Sequence, residues 1–462
     1  MTAAAAPRRG AREVIAALGQ PKVAVMFALG FSSGLPFMLI GNTLGFWLAD
    51  DGFKPSTIGF LSAAGLAYVF KFAWGVVVDR IPVPVLGRLG RRRGWMLLTQ
   101  LLVAGGLVAM ALADPRGHFA LMAVATVATA IAAATQDCAI DAWRIEAADN
   151  GEELGLLTST AALGYRVALW GSEAAILVLA ASAGWGVAYA VFGGAMGIGM
   201  VATLLAKESP RADAVLETLA AGERSQPWRA PVDAVAGPFI AFFRRHGLAM
   251  GATMLALITA YHLCDYLRGP MMNPYYATLG IPKVTIAGVR SAVSLPASFV
   301  GIALGGAATL RFGVMRSLVL GAFLQPIAVA AFAVLGWHGG DFTLARLGPL
   351  DITAFEVVMA QDSIIMSFAG VVLTAYMSSL ISLGYTATQF ALLASASVWI
   401  GKLLKLTSGA VVEALEPGRT VPHAYAVFQL VAAAIGLPAI VVCLVVAFRR
   451  PPSPPDTQPA PP

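Results

Sequence analysis

Ionisable side chains embedded in long apolar runs are the residues of this chain best placed to do chemistry. Lys71 stands in the middle of Tyr68-Val-Phe-Lys71-Phe-Ala-Trp74. Asp137, Asp141 and Arg144 follow one another at helical spacing, so one face carries two carboxylates and a guanidinium. Arg166 and Glu173 are seven residues apart and share a face as well. Asp265 with Arg268, Gln361 with Asp362, and Lys402 with Lys405 form a second set further along. Each such charge costs about 2.5–3.5 kcal/mol at the centre of a membrane helix on insertion scales, so it normally faces a partner or a water-filled cavity. Several of them spread over several helices point to a polar central cavity. Two carboxylates one turn apart in a low-dielectric site favour a proton held on one of them. Asp137 and Asp141 are therefore candidates to carry a proton, with Asp362 as the next. The competing arrangement is a fixed network in which Arg144 and Lys71 keep both acids ionised.

The elements that position these groups are membrane spans. The chain has 462 residues, of which 58% are hydrophobic and 12% charged. A soluble domain carries roughly 25% charged residues, so a soluble enzyme, a nucleic-acid binder and a disordered chain are excluded. A span needs about 20 apolar residues. Apolar runs place twelve at Val23–Leu48, Ile58–Val78, Trp95–Ala113, Phe119–Trp143, Leu154–Ala183, Trp185–Ala206, Gly247–Arg268, Val284–Leu310, Val314–Trp337, Ile352–Ser382, Tyr385–Ala414 and His423–Phe448. An even count puts both termini on one side. With that side cytoplasmic, the inside tails, loops and adjoining helix ends hold twenty Lys and Arg against five outside, which the positive-inside rule reads as cytoplasmic termini.

The expected organisation is a cytoplasmic tail (1–22), a six-helix half (23–206), a cytoplasmic linker with Pro210, Pro227, Pro231 and Pro238 (207–246), a second six-helix half (247–448) and a proline-rich tail (449–462). The halves read as a parallel repeat. Thr57-Ile58-Gly59 is echoed by Thr285-Ile286-Ala287 after 228 residues, and Gln136-Asp137 by Gln361-Asp362 after 225. Such an offset fits halves related by an axis along the membrane normal. Cys138, Cys264 and Cys443 lie in apolar runs without a CxxC pair and read as small buried thiols.

Gly75-Val-Val-Val-Asp79-Arg80 followed by Gly90-Arg91-Arg92-Arg93-Gly94 resembles the loop between the second and third helices of the major facilitator superfamily, here with Ile81–Leu89 inserted. An acid at a helix end with basic residues after it can form a breakable latch, which makes Asp79, Arg80, Arg91, Arg92 and Arg93 gating candidates; the alternative is plain topology charge. Longer strings resemble the AmpG family within that superfamily. They are Leu29-Gly-Phe-Ser-Ser-Gly-Leu-Pro36, Gly90-Arg-Arg-Arg-Gly-Trp-Met-Leu-Leu-Thr-Gln100, Ala134-Thr-Gln-Asp-Cys-Ala-Ile-Asp-Ala-Trp-Arg144, Leu163-Gly-Tyr-Arg166 and Thr386-Ala-Thr-Gln-Phe-Ala-Leu-Leu393. Gln361-Asp362 stands where the family often has Glu-Asn, and Lys402 where it often has Arg.

The resemblance implies an all-α integral membrane protein with the major facilitator fold, twelve helices in two pseudo-symmetric halves. It implies a monomer in the bacterial inner membrane with no cofactor, metal or nucleic acid. It implies proton-driven import of GlcNAc-1,6-anhydroMurNAc peptides, which are peptidoglycan turnover fragments whose uptake feeds wall recycling and β-lactamase induction. Such a sugar-peptide presents hydroxyls and carboxylates. Asn42, Gln136, Gln361 and Gln389 offer amides to it, and Lys71, Arg166 and Lys402 offer cations. Another cargo, acetyl-CoA-like or a drug exchanged for protons, is the alternative within transport. An intramembrane transferase would need a catalytic constellation, and the five histidines show no HxxxD, HExxH or metal-ligand spacing.

Overall fold

In hydrocarbon no water is available to backbone amides, so each apolar run closes its own hydrogen bonds as a helix. The computed structural model describes residues 19–449 apart from 55–56, 58–60, 62, 69, 114, 216–217, 219–229, 340–341 and 348–349. Its main helical segments, in chain order, are α1 (Pro21–Asp50), α2 (Lys71–Arg80), α3 (Arg91–Leu112), α4 (Phe119–Ala147), α5 (Gly151–Trp170), α6 (Trp185–Leu205), α7 (Leu248–Thr278), α8 (Lys283–Phe312), α9 (Val314–His338), α10 (Ala354–Ser379), α11 (Thr386–Leu415) and α12 (Val421–Arg449). Among the described residues, ten of these, all but α2 and α5, are long and apolar enough to cross a membrane. The second expected span is described as a 3-10 turn, Ala63–Tyr68, followed by α2. The fifth runs on from α5 through a π-helical turn, Gly171–Ala175, into Ile176–Ala183.

Several helices are irregular for identifiable reasons. Within α1, the segment Pro21–Leu39 ends three residues after Pro36, and a second segment starts at Asn42. Thr43 then donates to the Ser172 carbonyl in the π-helical turn at 2.8 Å, satisfying an acceptor inside the bundle. Within α7, the helix is interrupted at Tyr261–His262 and again at Gly269–Met271, where Pro270 supplies no N–H. Gly184 and Gly313 adopt positive φ, 87° and 81°, ending one helix and opening the next with no intervening loop. At the start of α5, Asn150 Oδ1 accepts from the Glu153 amide at 2.9 Å, and Glu153 Oε2 accepts from the Asp149 amide at 2.7 Å.

The chain packs as two compact units. One comprises the described residues of 11–242 together with 378–395, and the other residues 243–377 with the described residues of 396–454. The core of the first is built on Leu35, Trp47, Leu107, Met110 and Tyr189, with Trp47 stacked on Trp185 at 6.1 Å. The core of the second is built on Tyr275, Phe332, Phe355, Tyr425 and Phe428, with Tyr275 stacked on Tyr425 at 5.4 Å. Small residues let backbones touch: a Cβ on Gly30 would meet the Ala161 carbonyl, and one on Gly301 would meet that of Ile364. Leu112, Val124 and Val178 are outward-facing apolar side chains, 81%, 67% and 73% exposed, as a surface bathed in lipid tails requires.

Two features depart from the expectation. Two short strands, β1 (Thr343–Leu347) and β2 (Leu350–Thr353), pair antiparallel, with Arg346 paired to Asp351 at 2.8 Å. The linker is not simply polar coil, because Ala230–His246 is helical with Pro238 inside it. Cys138, Cys264 and Cys443 are buried free thiols.

Candidate transport site

In the first unit a cluster of charges forms where α1, α2 and α4 meet. Lys71 Nζ lies 2.7 Å from Asp137 Oδ2 and 3.6 Å from Asp141 Oδ2. Asp137 Oδ1 accepts from the Ser33 hydroxyl at 2.6 Å. Arg144 donates to Asp141 Oδ1 at 2.9 Å and also to the Thr158 hydroxyl. The Phe390 ring lies beneath both cations, 5.8 Å from Lys71 and 5.3 Å from Arg144. Two carboxylates thus face two cations. Asp137 draws its hydrogen bonds from α1 and α2, whereas Asp141 takes its hydrogen bond from its own helix and has Lys71 of α2 only at 3.6 Å.

A second cluster lies at the end of α2. Arg92 is fully buried, and its Nη2 reaches Asp79 Oδ1 at 2.7 Å and Glu146 Oε1 at 2.5 Å. Its Nε donates to both Glu146 oxygens at 3.1 Å. Asp79 also accepts from the Ala387 amide at 3.0 Å, the Thr388 amide at 2.8 Å and the Thr388 hydroxyl at 2.7 Å. The carboxylate therefore sits on the first turn of α11, where unpaired amides and the helix dipole favour an anion. The expected basic cluster divides. Arg91 donates to the Asp79 carbonyl at 3.0 Å, while Arg93 caps the end of α6 through the Thr203 and Leu204 carbonyls at 3.2 and 2.6 Å. Glu208 accepts from the Arg93 amide at 2.8 Å, and burial pushes its carboxyl up from the ordinary value. Arg80 stacks over Tyr385 at 5.0 Å.

In the second unit, Arg268 Nη2 reaches Asp362 Oδ1 at 2.6 Å and Asp265 Oδ1 at 3.0 Å. Asp362 of α10 thus joins the expected pair of α7, Asp265 with Arg268.

The amide candidates divide by environment. Gln136 is fully buried and donates to Ser32 at 3.0 Å. Gln389 is committed at both ends, donating to the Pro238 carbonyl at 2.8 Å and accepting from the Ser382 amide at 2.7 Å. Asn42 and Arg166 are exposed and Gln361 is half-buried. Lys402 and Glu173 stand on helical segments, with their side chains outside the described residues. Sequence reasoning missed Ser33, Glu146, Thr388 and Phe390 as partners. For Glu146 a signal existed, since three consecutive arginines entering a membrane helix need a nearby acid and Arg144-Ile-Glu146 ends the adjacent one.

Comparison with known proteins fits this geometry. The family model described as Major Facilitator Superfamily matches residues 26–348. The anhydromuropeptide permease of Escherichia coli (strain K12) is 30% identical over 432 residues, 92% of this chain and 80% of the relative. Putative transporter AmpG 4 of Rickettsia conorii (strain ATCC VR-613 / Malish 7) is 29% identical over 391 residues, 82% of this chain and 89% of the relative. Among solved structures, a double Trp mutant of XylE matches with a TM-score of 0.64 at 14% identity, covering 96% of this chain and 98% of that one. The proton:xylose symporter XylE bound to 6-bromo-6-deoxy-D-glucose matches with a TM-score of 0.60 at 13% identity, covering 97% and 98%. At those identities the structures establish the fold alone. These relatives are transporters, not enzymes, and the chain is a multi-pass membrane protein of their kind. A helical fold with apolar helices of spanning length, buried charge pairs between them and a family match over most of its length make the chain a member of the major facilitator superfamily and, within it, of the AmpG-type permeases.

Proposed function

We propose that this chain imports anhydro-muropeptides, GlcNAc-1,6-anhydroMurNAc peptides, across the bacterial inner membrane for peptidoglycan recycling. The observation that carries this reading is the 30% identity to the Escherichia coli anhydromuropeptide permease over 92% of the chain. Import is driven by the proton gradient and works by alternating access. The Lys71–Asp137–Asp141–Arg144 cluster supports proton coupling, because it places carboxylates inside the bundle with a cation on another helix. The Asp79 clasp on α11 supports gating, because it joins segments 308 residues apart through bonds that can open. Both termini face the cytoplasm, a reading that the distribution of basic residues supports.

Inside-out and right-side-out vesicles loaded with wild-type protein decide the cargo. Labelled anhydro-muropeptide accumulates, a proton ionophore stops accumulation, and labelled acetyl-CoA is not taken up. Uptake of acetyl-CoA in place of the sugar-peptide overturns the cargo; accumulation that ignores the ionophore overturns the coupling. Topology is read separately. A reporter fused after Pro462 is active only in the cytoplasm, and one inserted at Gly52 only in the periplasm. The reverse at either position is incompatible with the proposed orientation.

A further inference from the structure

The second unit contains a buried arginine with one hydrogen-bonding arm left over. The Arg268 side chain is only 4% exposed. Its Nε and Nη2 are used by Asp265, and Nη2 also by Asp362. Its Nη1 is buried and has no acceptor. An orphaned N–H on a buried cation is costly, and it gains from any acceptor that arrives. The guanidinium lies over the Phe332 ring at 5.1 Å, which holds its plane while leaving the edge available.

The surroundings are polar and partly open. The Asp265 side chain is 44% exposed and that of Asp362 18%. Asn273 and Arg290 are exposed and joined at 2.6 Å, with Arg290 also lying 6.0 Å from the Tyr276 ring. The backbone is irregular on both sides. α7 breaks at Gly269–Met271 directly after Arg268, and α8 begins its π-helical turn, Arg290–Ser294, at Arg290. Such turns inside α-helices recur at functional sites.

We propose that Arg268 is the anchor for a carboxylate of the transported solute, with Asp362 holding its place when no solute is bound. This rests on the reading above that the cargo is an anionic sugar-peptide. Arg268 already faces two carboxylates, Asp265 and Asp362, so an incoming carboxylate gains by replacing Asp362 and not by adding to it. The entering oxygen takes the free Nη1 first, and the guanidinium then presents two parallel N–H groups to it.

Vesicle uptake of labelled anhydro-muropeptide, with its peptide carboxylates free or converted to amides, tests the anchor. Wild-type protein should prefer the free acid by about tenfold or more in KM. Arg268→Gln combined with Asp362→Asn, which removes that buried pair together and leaves the half-exposed Asp265 carboxylate to water, should take up both forms with the weak KM of the amide. Asp362→Asn alone should lower KM for the free acid, because the competitor is gone; a merely structural ion pair would instead raise it or lose folded protein. The anchor is overturned if the double variant keeps the wild-type preference for the free acid, or if Asp362→Asn weakens binding of that form. Wild-type vesicles that take up the two forms equally well overturn the anchor while leaving the cargo intact; uptake of neither form overturns both.

Discussion

Asp79→Asn is expected to slow transport by about tenfold or more while leaving KM for the cargo within a few-fold. Asp79 accepts from two backbone amides and a hydroxyl on the first turn of α11 and from Arg92. An asparagine of the same shape turns one of its two acceptor oxygens into a donor, which then faces a donor. Losing a charge-assisted bond of this kind costs about 1.5–3 kcal/mol, and each 1.4 kcal/mol is about tenfold in the population of the clasped state. Arg92 keeps Glu146, so the neighbourhood still folds. On the proposed gating role, the cycle slows because the clasped state is depopulated. Initial-rate uptake over a range of cargo concentrations, together with equilibrium binding, separates the outcomes. A large rise in KM with normal turnover would place Asp79 at the cargo instead, and unchanged kinetics would make the clasp irrelevant to the cycle.

Asp137→Asn is expected to abolish accumulation against a gradient while preserving exchange of labelled for unlabelled cargo across the membrane. Asp137 is the acid whose partners come from other helices, Ser33 on α1 and Lys71 on α2. A relative movement of those helices therefore changes its environment, which is the requirement for taking up a proton on one side and releasing it on the other. Asp141 takes its hydrogen bond from Arg144 in its own helix, with Lys71 at a longer 3.6 Å, so its closest partner moves with it. Asp141→Asn should accordingly lower the rate but retain proton-driven accumulation. Lys71→Met, which strands Asp137 without its cation, should match the loss of accumulation seen for Asp137→Asn. Counterflow and gradient-driven uptake measured on the same vesicles give both readings. If Asp137→Asn accumulates cargo normally, the cluster is a fixed structural network and coupling resides elsewhere.

The membrane location and the helical class were legible because they depend on composition and run length. A chain with 12% charged residues and repeated apolar runs of spanning length has few other ways to satisfy its backbone in lipid. The charged positions were legible for the same energetic reason: an intramembrane charge is too costly to be incidental. Local spacing also revealed the pairs made within one helix, such as Asp141 with Arg144 and Asp265 with Arg268, because one helical turn separates their members. Partners contributed by distant helices were not legible. Nothing in the order of residues says that Lys71 chooses Asp137 at 2.7 Å over Asp141 at 3.6 Å. Nor does it say that Asp79 seats itself on amides 308 and 309 residues away, or that Gln389 turns to the backbone. Those outcomes depend on helix rotation and depth, which are set by packing contacts such as the approach of Gly30 to Ala161 and of Gly301 to Ile364. Sequence by itself determined which residues carry charge into the membrane and that each must find a partner. The tertiary structure alone decided which partner, because hydrogen bonds act over about 3 Å, while a small rotation of a helix moves a side chain further than that.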